Sequence, residues 1–63
     1  MKLREIRRMK GLTMKQVADM AKISEAAISL YERGLRTPNL STAHKIADAL
    51  GLTVDELFEK KGA

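Results

Sequence analysis

Along the chain, apolar residues return at intervals of three and four positions: Leu3 and Ile6, then Val17, Ala18 and Ala21, then Ile28 and Tyr31, then Ala43, Ile46, Ala47 and Leu50. That period gathers them on one face of a helix. No segment alternates apolar with polar positions as a half-buried strand does. The spacing predicts an all-α fold with helices over residues 2–10, 14–21, 25–33, 40–50 and 54–60, a compact five-helix arrangement forming a single domain over residues 1–63.

The predicted helix ends carry their own chemistry. Thr13 and Gln16 have the spacing of a capping box, with Leu12 and Val17 as the apolar staple around it. Ser24 caps the third helix; Ala27 cannot complete a box there, but Ile23 and Ile28 repeat the staple. Gly34 supplies a left-handed stop after the third helix, "LRTPN" reads as a connecting loop, and Asn39 caps the fourth helix. Gly51 is a second stop, followed by a Thr53/Glu56 capping box with Leu52 and Leu57 as its staple. Between the second and third helices the joint in "AKIS" is only two or three residues long. So short a joint makes the two helices cross steeply instead of lying antiparallel, which is helix-turn-helix geometry.

Composition narrows the chemistry. A chain of 63 residues buries only about 60% of its unfolded surface, and its core supplies a few kcal/mol at most. With no cysteine and one histidine, His44, it builds neither a disulfide framework nor a zinc site of the usual kind. No nucleophile stands with a base and an orienting partner, so an enzyme is not expected. The longest apolar run, "AAI", is far short of a membrane span or a signal-peptide core, which points to a cytoplasmic protein. The basic stretch "MKLREIRRMK" could lie on a membrane surface, but Leu3 and Ile6 are needed inside. The net charge of +4 is uneven: residues 1–36 hold nine Lys/Arg and four Asp/Glu, giving +5, whereas residues 37–63 hold three and four, giving −1. A basic front half favours a polyanionic partner approached by one face.

"LREIR" at 3–7, "LTMKQVA" at 12–18, "ISEAAISLYERG" at 23–34, Pro38 and "IADALGLTVDELF" at 46–58 together cover nearly the whole chain. In order and spacing they resemble the phage lambda repressor and Cro type of helix-turn-helix domain, the Xre-like regulators. The resemblance implies a lambda repressor-like fold in which Ala18 sits where the second and third helices meet and Val17, Ala21, Ile23, Ile28 and Tyr31 are core. It also implies an ion pair between Arg7 and Glu32, either stabilising or holding the arginine ready for a phosphate.

By the same resemblance the third helix lies in the major groove of double-stranded DNA. Its base-facing residues are then Glu25, Ala26, Ala27, Ser29 and Leu30. That set is poor in hydrogen-bonding groups: alanine and leucine meet a thymine methyl, and Glu25 accepts from cytosine N4. Glu25 also reads as an acid favoured by the dipole of the first helical turn. The expected phosphate contacts are the start of the second helix at Thr13, with Lys15 and Gln16, then Lys22, and then Arg33, Arg36, Thr37 and Asn39; Arg4 and Arg8 are weaker candidates.

Two positions depart from the family pattern. Met14 replaces a common phosphate-contacting glutamine, and Lys22 replaces a common turn glycine, which implies a left-handed lysine at a cost of about 1–2 kcal/mol. The implied function is a transcriptional regulator, a repressor binding a palindromic operator as a homodimer, with no cofactor, metal or small-molecule ligand. It would be prokaryotic or phage-encoded, and nucleoid-associated. Leu52, Val54, Leu57 and Phe58 are the candidates for the dimer interface. The alternative is a protein-interaction module on the same fold whose alanine-rich third helix has lost base readout.

Overall fold

The computed structural model describes residues 1–58, which form α1 (Leu3–Met9), α2 (Met14–Ala21), α3 (Glu25–Glu32), α4 (Leu40–Leu50) and α5 (Val54–Leu57). No strand accompanies them among the described residues. The first helix is one residue shorter at each end than its periodicity predicts, and the third ends at Glu32 instead of residue 33. The last helix is a single turn; residues 59 and 60, also expected in it, lie outside the described residues. No helix here is long and apolar enough to cross a membrane.

Four of the helices end in the same way. The chain enters the left-handed region at Gly11 (φ 70°), Lys22 (φ 61°), Gly34 (φ 73°) and Gly51 (φ 74°). At each, the residue's own amide donates to the carbonyl three residues back, as Lys22 does to Asp19 at 3.3 Å and Gly51 to Asp48 at 3.1 Å. The next amide donates to the carbonyl five residues back: Leu12 to Arg7, Ile23 to Ala18, Leu35 to Leu30 and Leu52 to Ala47, at 2.8 to 3.1 Å. This paired hydrogen-bond pattern is the Schellman motif, which satisfies carbonyls that a helix end otherwise leaves open.

In three of the four cases the following residue caps the next helix. Thr13 Oγ1 accepts from the Gln16 amide at 3.0 Å while Gln16 Oε1 accepts from the Thr13 amide at 2.8 Å. Thr53 and Glu56 make the same reciprocal pair at 3.1 and 2.9 Å, and Ser24 Oγ accepts from Ala27 at 3.1 Å. Each joint is therefore a left-handed residue, an apolar residue and a cap. The apolar member, Leu12, Ile23 or Leu52, packs against the core. It serves both as the apolar contact of the motif ending one helix and as the staple starting the next.

Packing follows from these joints. α2 lies against both α3 and α4, α5 lies against α4, and α1 touches α3. Leu3, Val17, Ile28, Ile46 and Leu57 fill the centre with no exposed surface. The small residues Ala18, Ala21, Ala43 and Ala47, also buried, let the α2, α3 and α4 backbones approach closely. The two ends of the described chain meet where the Lys2 amide donates to the Leu57 carbonyl at 2.9 Å.

Lys22 is the one non-glycine residue with positive φ among the described residues, at φ 61° and ψ 42°. Its Cβ meets a steric penalty there of about 1–2 kcal/mol, offset in part because glycine loses more entropy on folding, by roughly 0.5–1 kcal/mol. Lys22→Gly should therefore raise stability by about 0.5–1 kcal/mol. In thermal melts that is an upward shift of a few degrees for a domain of this size. Gly51→Ala should lower stability by about 1 kcal/mol, through its φ of 74° alone, since no atom stands near the place its methyl would take. A lower melting point for Lys22→Gly would show that the lysine stem contributes packing greater than its backbone strain.

Candidate nucleic-acid interface

The end of α3 is held by charge. Arg7, in the last turn of α1, donates through Nε to Glu32 Oε2 at 2.6 Å and through Nη2 to Glu32 Oε1 at 3.1 Å, a two-point contact. Its remaining arm, Nη1, donates to the Leu12 carbonyl at 2.9 Å. A second cation, Arg4 Nε, stands 3.6 Å from Glu32 Oε1. The Glu32 side chain is only 2% exposed and that of Arg7 13%, so an acid at the negative end of a helix is stable there because the arginines answer its charge. The hydrogen bond to Glu32 holds the Arg7 guanidinium above its ordinary pKa against the opposing effect of burial. A raised cationic pKa leaves its stabilisation fully present below the ordinary arginine value, and it is lost only as pH rises through the higher folded value. Arg7 is thus charged wherever the domain folds.

With its C-terminus fixed, α3 turns Ile28 into the core. At about 100° per residue, positions 26, 30 and 33 lie opposite it. Ala26 and Arg33 are exposed and Leu30 is half-buried, while Ala27 and Ser29 are half-buried on the flanks. Glu25 is exposed in the first turn. All five residues expected to face bases thus reach the surface, although three of them only partly.

The expected phosphate contacts divide by how far their polar groups are already engaged. Thr13 and Gln16 cap each other across the start of α2, and Asn39 Oδ1 accepts from the Thr42 amide at 2.8 Å. The capped amides are those of the third position; the first amides of α2, at Met14 and Lys15, have no upstream carbonyl to reach. Lys15 pairs loosely with Asp19 at 3.7 Å, both more than two-thirds exposed, a contact worth little. Lys22 is exposed in the α2–α3 joint, and Arg33, Arg36 and Thr37 are exposed after α3, in a connection anchored by buried Pro38.

Three particulars differ from the sequence reading or go beyond it. Met14 is half-buried and packs against the core, so a position that a glutamine would turn outward serves packing in this chain. Leu57 has no exposed surface and cannot meet a partner; of the four residues expected at a dimer interface, Leu52, Val54 and Phe58 are half-buried and reach the surface. Leu57 is the inward member of the single α5 turn, which lies against α4. Arg4 joins the Glu32 cluster, a role that its spacing of three residues from Arg7 on one helical face would have disclosed.

The helix-turn-helix family matches residues 3–57. Over 58 residues the chain is 41% identical to the HTH-type transcriptional regulator DdrOP3 of Deinococcus deserti, covering 92% of this chain and 45% of that protein. It is 38% identical over 57 residues to the HTH-type transcriptional activator BcrR of Enterococcus faecalis, covering 90% and 28%. It is 32% identical over 59 residues to the HTH-type transcriptional regulator PuuR of Escherichia coli, covering 94% and 32%. The chain thus spans less than half the length of these relatives.

Removing one member of a buried pair costs about 3–5 kcal/mol, comparable to the whole stability of so small a domain, and the exposed Arg4, 3.6 Å from Glu32 with no hydrogen bond to it, replaces Arg7 only in part. Arg7→Met should largely unfold the protein at room temperature. The double variant Arg7→Met/Glu32→Leu should recover most of the loss, and Arg4→Ala, whose side chain is 56% exposed, should change stability by less than about 1 kcal/mol. Urea titration followed by circular dichroism separates the three. A double variant no more stable than Arg7→Met would mean that the arginine matters through its bond to Leu12 and not through Glu32.

Proposed function

The chain belongs to the Xre and lambda repressor-like helix-turn-helix family, and from that membership we propose that it binds double-stranded DNA as a transcriptional regulator with α3 in the major groove. One observation carries the reading: α3 stands exposed along the side opposite Ile28, with the cation Lys22 before it and Arg33 and Arg36 after it. Cations at both ends of an exposed helix suit a duplex, whose two phosphate chains flank the groove that the helix enters. Phosphates are received by the first amides of α2 with Lys15, by Lys22, and by Arg33, Arg36 and Thr37, with Thr13 and Gln16 acting chiefly as the caps of α2 and Asn39 as the cap of α4. Glu25 accepts from a cytosine N4.

A module of this size places too few contacts to bind tightly alone. The protein therefore acts as a two-fold homodimer on palindromic half-sites about one helical turn apart, roughly 34 Å. Leu52, Val54 and Phe58 are the residues of the α5 end available to that contact. It acts as a repressor by occupying an operator that polymerase needs, in the cytoplasm and on the nucleoid. The Enterococcus relative carries the name of an activator, in keeping with a domain that serves either sign as the operator position decides.

Titration of the protein against a pool of random duplexes, with the bound fraction sequenced at two salt concentrations, tests this. Salt-sensitive enrichment of a palindrome is expected. No binding even at low salt would instead favour a protein-interaction module on this fold. Arg36→Ala should weaken all duplexes alike and reduce the salt slope by about 1. Glu25→Ala should relax preference at one base pair per half-site by roughly 1–3 kcal/mol; a uniform loss over all sequences would remove its base-reading role.

A further inference from the structure

Resting on the reading that α3 occupies the major groove, we propose that it recognises C5-methyl groups, so that the protein distinguishes thymine from uracil and responds to 5-methylcytosine as it does to thymine. The central line of the exposed α3 surface begins with Ala26 and Leu30, opposite the buried Ile28. These residues carry no hydrogen-bonding side chain. Flanking this line, Ser24 Oγ accepts from the Ala27 amide at 3.1 Å as the cap of α3, and Gln16 Oε1 accepts from the Thr13 amide at 2.8 Å as part of the α2 cap, so both side chains are held at helix starts and keep chiefly their donors for a ligand. On α3 itself, Glu25 and the half-buried Ser29 are the remaining polar side chains before Arg33 apart from Tyr31, which packs against the core, and Glu32, which is engaged by Arg7.

A methyl group is what the apolar residues can recognise. In the major groove each base pair shows acceptors, a donor or the thymine C5-methyl, and apolar side chains are matched to the last of these. Ala26 and Leu30 are one turn apart, about 6 Å along the axis, close to two steps of a strand whose phosphates follow at about 3.4 Å. The short alanine side chains also let the helix backbone approach the base edges. Cytosine methylated at C5 presents its methyl at the same place as thymine does. At a position facing Ala26, Ala27 or Leu30, methylation therefore strengthens binding, and the occupancy of a site follows its methylation state.

The DNA-side test leaves the protein intact. Take the duplex most enriched from the random pool and replace each thymidine in turn by deoxyuridine, which deletes the methyl and preserves every hydrogen bond. Two or three positions per half-site should lose about fourfold in affinity each, the worth of roughly one buried methylene. Placing 5-methyl-deoxycytidine at the same positions of a cytosine-bearing duplex should restore a similar factor. Ala26→Gln and Leu30→Gln, at surface helical positions, should each abolish the thymidine/deoxyuridine difference at one position while keeping it at the others. Equal affinity for thymidine and deoxyuridine at every position of a bound operator overturns methyl recognition and leaves DNA binding standing. Failure to bind any duplex overturns both.

Discussion

Glu32 is the residue around which the candidate interface is arranged. Its carboxylate is out of water at the negative end of α3, a position that is tenable only because Arg7 reaches it with two arms and Arg4 stands beside it. The third arm of Arg7 holds the Leu12 carbonyl, in the joint from which α2 starts. One guanidinium thereby fixes α1, the α1–α2 joint and the end of α3 relative to each other. α1 is anchored in the core by Leu3, with Ile6 packed beside it, and the Arg7 bonds add a directional constraint between it and α3. Directional, charge-assisted bonds set the angle between the two helices more sharply than apolar contacts alone do.

The joints solve a different problem. Short helices are marginal in isolation, and a 63-residue chain has little room for loops that do not contribute to the core. Combining a helix stop, an apolar anchor and a helix start in three residues makes every residue of the α1–α2, α2–α3 and α4–α5 joints structural. The arrangement also has a consequence for the interface. The α2–α3 joint is the one whose left-handed residue is a lysine and not a glycine, which places backbone strain and positive charge together beside α3. Strain is often kept at functional positions, which accords with the phosphate contact proposed for Lys22, whose side chain is exposed.

How much of this was legible beforehand depends on range. Helix stops, caps and staples are set by residues within five positions of each other, and Thr13/Gln16, Ser24, Asn39 and Thr53/Glu56 are all found as their spacing indicates. The apolar period located the core for the same local reason. Tertiary choices were less accessible. Whether Met14 turns inward depends on the space that α2 leaves at its start, and whether Leu57 is core or surface depends on where the single turn of α5 meets the rest of the fold; neither is written in the local pattern. The Arg7–Glu32 pairing spans 25 residues, and only the resemblance to a family pointed to it.

Methyl recognition bears on how such a domain achieves discrimination. Specific DNA-binding proteins commonly prefer their site by about 10³–10⁷ over other sequences. Three methyl contacts in each of two half-sites, at about fourfold apiece, multiply to roughly four thousandfold, the lower edge of that range. The contact proposed between Glu25 and cytosine, repeated by the proposed two-fold symmetry, would add about 1–3 kcal/mol per half-site and bring the total well inside it. Such a reader needs the two-fold arrangement more than one equipped with arginine or glutamine does, because no single half-site discriminates enough. It also relies on the cations around α3 for the sequence-independent part of its affinity, which contacts with phosphates supply. The distribution of charge follows that division: positive residues lie before and after α3, and its outward line begins with alanine and leucine.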